Sequence, residues 1–100
     1  MTIISFGDPL TERLDRTGTA PGVPSDIIEK ALQRLGRLDA TTRLDFLAQP
    51  AGMRLRKARS YGPDFFLVHV KARWWLRFRW GHPDCFAVSL IEKNRRRRKR

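Results

Sequence analysis

Cysteine is almost missing from this chain of 100 residues: Cys85 stands alone, so no internal disulfide can form. No cysteine or histidine pair has metal-ligand spacing either, which argues against a structural metal and implies no cofactor. Such a chain suits a reducing compartment, and a cytoplasmic location is expected. Long apolar runs are also lacking. None approaches the roughly 20 residues that a membrane helix needs, and the N-terminus lacks the charged, apolar and small-residue order of a signal peptide. A membrane role is not expected. With 100 residues there is enough chain for one modest core, so any site must be an open surface or a shallow groove.

Acid is scarce where base is abundant. Residues 1–50 carry six Lys/Arg and seven Asp/Glu, 6 − 7 = −1, whereas residues 51–100 carry fifteen and three, 15 − 3 = +12. Many of those fifteen lie on or beside Trp74-Trp75-Leu76-Arg77-Phe78-Arg79-Trp80, and seven lie in the tail from Lys93 onward. A basic face interleaved with aromatics points to a polyanion, most often nucleic acid. The tail from Asn94 has nothing to bury and is expected to be mobile.

Thr2-Ile3-Ile4-Ser5-Phe6 is a short β-prone run that stops at Gly7-Asp8-Pro9. Asp8 can cap a brief helix through Leu10 and Leu14, which Thr17-Gly18 then breaks. Pro24-Ser25-Asp26 opens a clearer helix. Its Ile27, Ile28, Ala31, Leu32, Leu35 and Leu38 form one stripe at 3.6-residue spacing, with Lys30, Arg34 and Arg37 off it. A shorter helix or turn around Leu44 and Leu47 ends at Gln49-Pro50-Ala51-Gly52. Strands follow over Met53 to Lys57, Phe65 to Lys71, Trp74 to Trp80 and Cys85 to Ile91. In the third of these, Trp74, Leu76, Phe78 and Trp80 face one way and Trp75, Arg77 and Arg79 the other. The pattern predicts an α+β domain with N-terminal helices packed on one face of a twisted antiparallel β-sheet and the other face open.

The order of Ile4-Ser5-Phe6, Thr17-Gly18, Leu35-Gly36-Arg37-Leu38-Asp39-Ala40, Pro50-Ala51-Gly52-Met53-Arg54-Leu55 and Trp74 with Phe78 resembles the HigB-type toxins of the RelE/ParE superfamily. The resemblance runs from about Ile4 to Asn94. It implies a single RelE-like domain over residues 1–94, followed by a basic tail over 95–100. It further implies the toxin of a type II toxin–antitoxin system: a ribosome-dependent endoribonuclease that cuts mRNA in the decoding site and so inhibits translation. The partners it implies are the ribosome, mRNA and a helix-turn-helix antitoxin of the HigA type, with operator DNA met only through the antitoxin complex.

The functional residues of the family carry over incompletely. Arg59 stands where a phosphate-contacting lysine is expected, which keeps the charge. Trp75 stands where the family has the arginine that steadies the scissile phosphate. Glu92-Lys93-Asn94 replaces the terminal Asp-Tyr-His, keeping the acid and losing the tyrosine and histidine. Six basic residues, Arg95 to Arg100, are then added.

Cleaving RNA with its own 2′-hydroxyl requires that hydroxyl to be positioned, charge on the phosphate to be stabilised and the leaving oxygen to be protonated. Arg77 is the best replacement at the phosphate, since it lies about 7 Å from Trp75 on the same strand face. Arg79 is one step further along. Trp75 is either a stacking platform for a base or a cover for the open face of the sheet. Lys93 could donate a proton if neighbouring cations depressed its pKa. Asn94 can only orient. Tyr61, beside Gly62-Pro63, and the histidines His69 and His82 are weaker proton-transfer candidates. The catalytic set is thus Arg59, Arg77, Arg79, Lys93 and Asn94. An RNA-binding set adds Arg54, Arg56, Lys57, Arg73, Trp75 and the tail residues Arg95, Arg96, Arg97 and Arg98, which bind through counterion release. The competing reading is a catalytically impaired toxin-fold protein that holds RNA, ribosome or antitoxin without cutting.

Overall fold

The computed structural model of the chain describes residues 3–40, 54–81 and 84–93. Helix α1, Pro9–Thr17, starts where the sequence says it should. The Asp8 carboxylate accepts the Thr11 amide at 2.7 Å, Pro9 takes the first turn, and Gly18 at φ 77 donates its N–H to the Leu14 carbonyl. Helix α2, Ser25–Ala40, begins on the Pro24 carbonyl, which accepts from both Ile27 and Ile28 at 3.0 Å. Its buried stripe is Ile27, Ala31, Leu35 and Leu38.

Four strands, β1 (Arg56–Lys57), β2 (Phe65–Lys71), β3 (Trp74–Gly81) and β4 (Asp84–Glu92), pair antiparallel in chain order. Both helices pack against one face of this sheet. There Leu14, Ala31, Leu35 and Leu38 meet Val68, Leu76, Phe78 and Val88 in the main core. The first strand is shorter than the predicted Met53–Lys57, and Met53 lies outside the described residues. Polar ties help fix α2 to the sheet. The Arg34 Nε donates to the His69 carbonyl at 3.0 Å, and Lys71 pairs with Asp26 at 3.0 Å.

The N-terminal β-prone run forms isolated parallel bridges at Ile3 and Phe6 to β4 rather than a full strand. Ile4 N–H donates to the Cys85 carbonyl, Val88 N–H to Ser5, and Gly7 N–H to Val88. One step on, Thr11, buried in α1, accepts the Leu90 amide on its hydroxyl at 2.8 Å. The outer edge of β4 is therefore satisfied by segment and side chain together.

A bulge in β4 reverses its alternation. Arg77 pairs with Ser89 and Arg79 with Phe86, so Ala87 and Val88 share one partner position, and Ala87 takes φ 54. Cys85 on one side of the bulge and Val88 and Leu90 on the other can thus all face the main core. A second irregularity, between His69 and Lys71, precedes the β2–β3 turn, where Ala72 has φ 53.

The sequence pattern suggested that the face away from the helices is open, but it is not bare. It holds a second buried cluster of Ala58, Leu67 and Trp75, flanked by Phe65 and Ile91. Three predicted features lie outside the described residues: the element around Leu44 and Leu47 with its Pro50-Ala51-Gly52 end, the His82-Pro83 turn, and the tail from Asn94. Among the described residues no helix is long and apolar enough to cross a membrane.

Candidate nucleic-acid interface

Alternation in β3 turns Trp75, Arg77 and Arg79 to the face opposite the helices, and the antiparallel register builds a row through each. Trp75 lies between His69 and Ile91, Arg77 between Leu67 and Ser89, and Arg79 between Phe65 and Phe86. Because Arg56 pairs with Leu67, it extends the Arg77 row onto β1. Successive rows are about 7 Å apart, two residues along an extended strand.

The Trp75 row is covered. Three cations gather at its indole: the guanidinium carbons of Arg54 and Arg56 lie 5.6 and 5.4 Å from the ring centroid and the Lys93 ammonium lies 6.0 Å away. His69 packs edge-on to the same ring at 4.8 Å. Trp75 is only 6% exposed. Of its two readings, the geometry is that of a cover rather than of an open platform, and a base could reach the ring face only after these side chains moved. Each cation–π contact contributes about 0.5–1 kcal/mol at an exposed site. The three like charges repel one another, so an anion bound among them would relieve that repulsion.

The Arg77 row is arranged differently. The Arg77 guanidinium carbon lies 4.7 Å from the Tyr61 ring centroid, and Nη2 donates to the Ser89 hydroxyl at 3.3 Å. Its Nε is buried with no hydrogen-bond partner among the described residues. Held between ring and hydroxyl, the planar guanidinium has one orientation and loses little further freedom on meeting a phosphate. In the next row Arg79 lies 4.6 Å from the Phe86 ring. Among the described residues, Arg54, Arg56, Arg77, Arg79 and Lys93 are in no ion pair, whereas Arg16, Lys71 and Arg73 pair with Glu12, Asp26 and Glu92.

Other expected members are set apart. Lys57 sits over Phe66 at 4.9 Å, and Phe66 belongs to the helix-side core, so Lys57 is on the reverse face. The reason is register: Lys57 pairs with Phe66 where Arg56 pairs with Leu67, and neighbours in a strand face opposite ways. Arg73 is tied to Glu92 at 3.1 Å in the β2–β3 turn. Arg59 is exposed in the turn joining β1 to β2. Asn94, Arg95, Arg96, Arg97 and Arg98 lie outside the described residues.

Two residues at this face escaped the sequence reading in the roles they take. Ser89 is fully buried and orients Arg77; the only signal was a hydroxyl within an otherwise apolar strand. Tyr61 was noticed as a proton donor, whereas here it is the ring beneath a guanidinium. Proton-transfer groups are few. The His69 Nε2 lies 2.9 Å from the Ala72 carbonyl, an acceptor only, so that nitrogen must carry the hydrogen. Among the described residues no group of three or more His, Cys, Asp or Glu is placed to hold a metal. Cys85 is on the helix side, buried, with its thiol pushed up to about 12 by desolvation.

The face therefore offers positive charge in successive rows and one rigidly held arginine, which suits a chain of phosphates better than a small neutral ligand. Compared with protein-family models and with curated proteins, the chain matches neither.

Proposed function

We propose that this chain is a toxin of a type II toxin–antitoxin pair, RelE-like in fold and HigB-like in type, that cleaves mRNA bound in the ribosome. Supporting this are the α+β architecture, with helices on one side of an antiparallel sheet, and the cationic rows on the other. The observation that carries the reading is Arg77: a guanidinium held between Tyr61 and Ser89, one row from the position where the resemblance called for a phosphate-binding arginine. In this reading the RNA 2′-hydroxyl gives its proton to water as its oxygen attacks the adjacent phosphorus, Arg77 and Arg79 neutralise the phosphoryl oxygens, and the P–O5′ bond breaks with the 5′-oxygen taking a proton from Lys93 or from water. A 2′,3′-cyclic phosphate and a 5′-hydroxyl end result. Arg59 serves as a further phosphate contact from its turn. Electrostatic stabilisation is the main contribution of such a site. A helix-turn-helix antitoxin would be the partner, carrying the complex to operator DNA.

A second reading, RNA or ribosome binding without cleavage, is favoured by one feature: Trp75 occupies the expected arginine position and is itself covered by cations. Primer extension on mRNA bound to purified ribosomes, with free RNA as control, separates the two. Cuts at a fixed place in the decoding site, absent from free RNA, establish the nuclease. Tight ribosome binding without cuts leaves only the binding reading.

A further inference from the structure

We infer that Tyr61 is a nucleobase-stacking site, paired with Arg77 so that one nucleotide of single-stranded RNA places its base on the phenol ring and its phosphate on the guanidinium. This rests on the RNA-binding part of the proposal above and assigns the base contact to a loop residue instead of Trp75.

Exposure makes the first distinction. Tyr61 is 43% exposed, whereas Trp75, the larger aromatic on the same side of the sheet, is 6% exposed beneath its cations. A ring that is already covered is a poor receiver of a base; an exposed one is a good receiver.

Rigidity makes the second. Tyr61 lies in the β1–β2 turn, where Tyr61 N–H donates to the Ala58 carbonyl, Gly62 N–H to Arg59, and Phe65 N–H to Gly62, while Ala58 N–H closes the loop on Phe65 at 2.9 Å. Gly62 stands at φ 152, and a Cβ there would come within 2.9 Å of the Phe65 ring. That close approach seats Phe65 beside Tyr61, centroid to centroid 6.3 Å, at a 47° tilt. The phenol is thus buttressed along one side by a ring and beneath by Arg77, and it needs little further ordering to accept a base.

Charge makes the third. Arg77 is in no ion pair among the described residues, and Ser89 fixes its orientation. A phosphate at that guanidinium and a base on the adjoining ring are one nucleotide's worth of chemistry, since Tyr61 and Arg77 are 4.7 Å apart.

The test uses the full chain and short single-stranded 2′-O-methyl RNA, which lacks the attacking hydroxyl and cannot be cut, with one 2-aminopurine walked through the sequence. Expected is strong fluorescence quenching at one position with wild type, its loss in Tyr61→Ala, and an affinity lower by about five- to 150-fold, the range of base–aromatic stacking. Tyr61→Phe and Tyr61→Trp should keep both quenching and affinity. Tyr61→Leu, which preserves bulk above Arg77, should behave like Tyr61→Ala and guards against loss of fold in the smaller variant. Wild type without quenching at any position overturns the inference, as does undiminished quenching in Tyr61→Ala and Tyr61→Leu, or a loss in Tyr61→Phe equal to theirs. Failure of ribosomal cleavage defeats the nuclease reading and leaves this quenching untouched, so the two failures are distinguishable.

Discussion

Arg77 and Ser89 face each other across β3 and β4, and the Nη2 of the arginine donates to the serine hydroxyl at 3.3 Å. The serine is fully buried. This pair fixes where the central charge of the cationic face points. Hydrogen bonds to a charged group contribute about 1.5–3 kcal/mol, and a lysine cannot reproduce both this bond and the planar packing on Tyr61. Under the proposed nuclease reading, Arg77→Ala should therefore abolish growth arrest and ribosomal cleavage with unchanged circular dichroism. Arg77→Lys should lower single-turnover cleavage by about tenfold or more. Wild-type toxicity in Arg77→Ala would remove Arg77 from the mechanism.

Thr11 illustrates a stability contact that does not touch the site. Its buried hydroxyl accepts the Leu90 amide, which would otherwise face α1 with no acceptor. Thr11→Val keeps the shape and removes the acceptor, at a cost of about 1–3 kcal/mol. Each kcal/mol is worth about 4–8 °C in Tm for a domain of this size. Thermal unfolding should show that drop, and hydrogen exchange should quicken first at Leu90.

At Ala72 the opposite sign is expected. Its φ of 53 places a Cβ in the left-handed region, which costs roughly 1–2 kcal/mol for a residue with a side chain. Glycine avoids that cost but gives back about 0.4–1 kcal/mol through the greater freedom of its unfolded chain. Ala72→Gly should accordingly raise stability, by up to about 1.6 kcal/mol in urea titration, with no change in RNA affinity. A fall in stability would mean that the turn is not held in this conformation.

Most of the fold was legible because hydrophobic periodicity and turn chemistry agree with it. Asp8-Pro9 and Pro24-Ser25-Asp26 placed the helix starts, and alternation in Trp74 to Trp80 placed Trp75, Arg77 and Arg79 on one face. The bulge at Ala87 was not legible. Glycine is the usual mark of a positive φ, and alanine gives no such signal, so the switch that puts both Cys85 and Val88 in the core is set by packing. The covering of Trp75 was hidden for a related reason. Arg54 and Arg56 come from one stretch of chain and Lys93 from another almost forty residues on, and only the sheet register brings them to one ring. Sequence showed the charge of the face but not its division into a covered row and an open one.

Two groups should shape the pH dependence of stability at opposite ends. Asp26 has its pKa lowered from 3.8 by its hydrogen bond to Lys71 and their mutual attraction. Its contribution is full above pH 3.8 and is lost as pH falls through the lower folded value. Cys85 has its pKa raised from 9.0 to about 12 by burial. Its thiol favours the fold below pH 9, and that contribution disappears as pH rises from 9 toward about 12. Asp26→Asn should flatten the acid limb of a Tm-against-pH profile, and Cys85→Ala should flatten the alkaline limb. An alkaline limb unchanged in Cys85→Ala would mean that the thiol ionises no less readily in the folded protein.

The basic tail is the part of the chain whose contribution must be read from charge alone, since residues 94–100 lie outside the described residues. Removing residues 94–100 deletes six cations, Arg95 to Arg100, while leaving Arg77 and Tyr61 in place. For single strands the logarithm of affinity falls with that of salt by about 0.7 per phosphate neutralised. If the tail docks on RNA, truncation should make this slope shallower by about 0.7 for each phosphate no longer neutralised, with the largest drop in affinity at low salt. Base stacking at Tyr61 should persist, because it depends on the ring face rather than on counterion release. Replacing Arg54, Arg56 and Lys93 together by glutamine should also reduce the slope, and it should raise the exposure of Trp75 to acrylamide quenching. An unchanged slope after truncation assigns the RNA contacts to the folded face and leaves the tail a solvated extension.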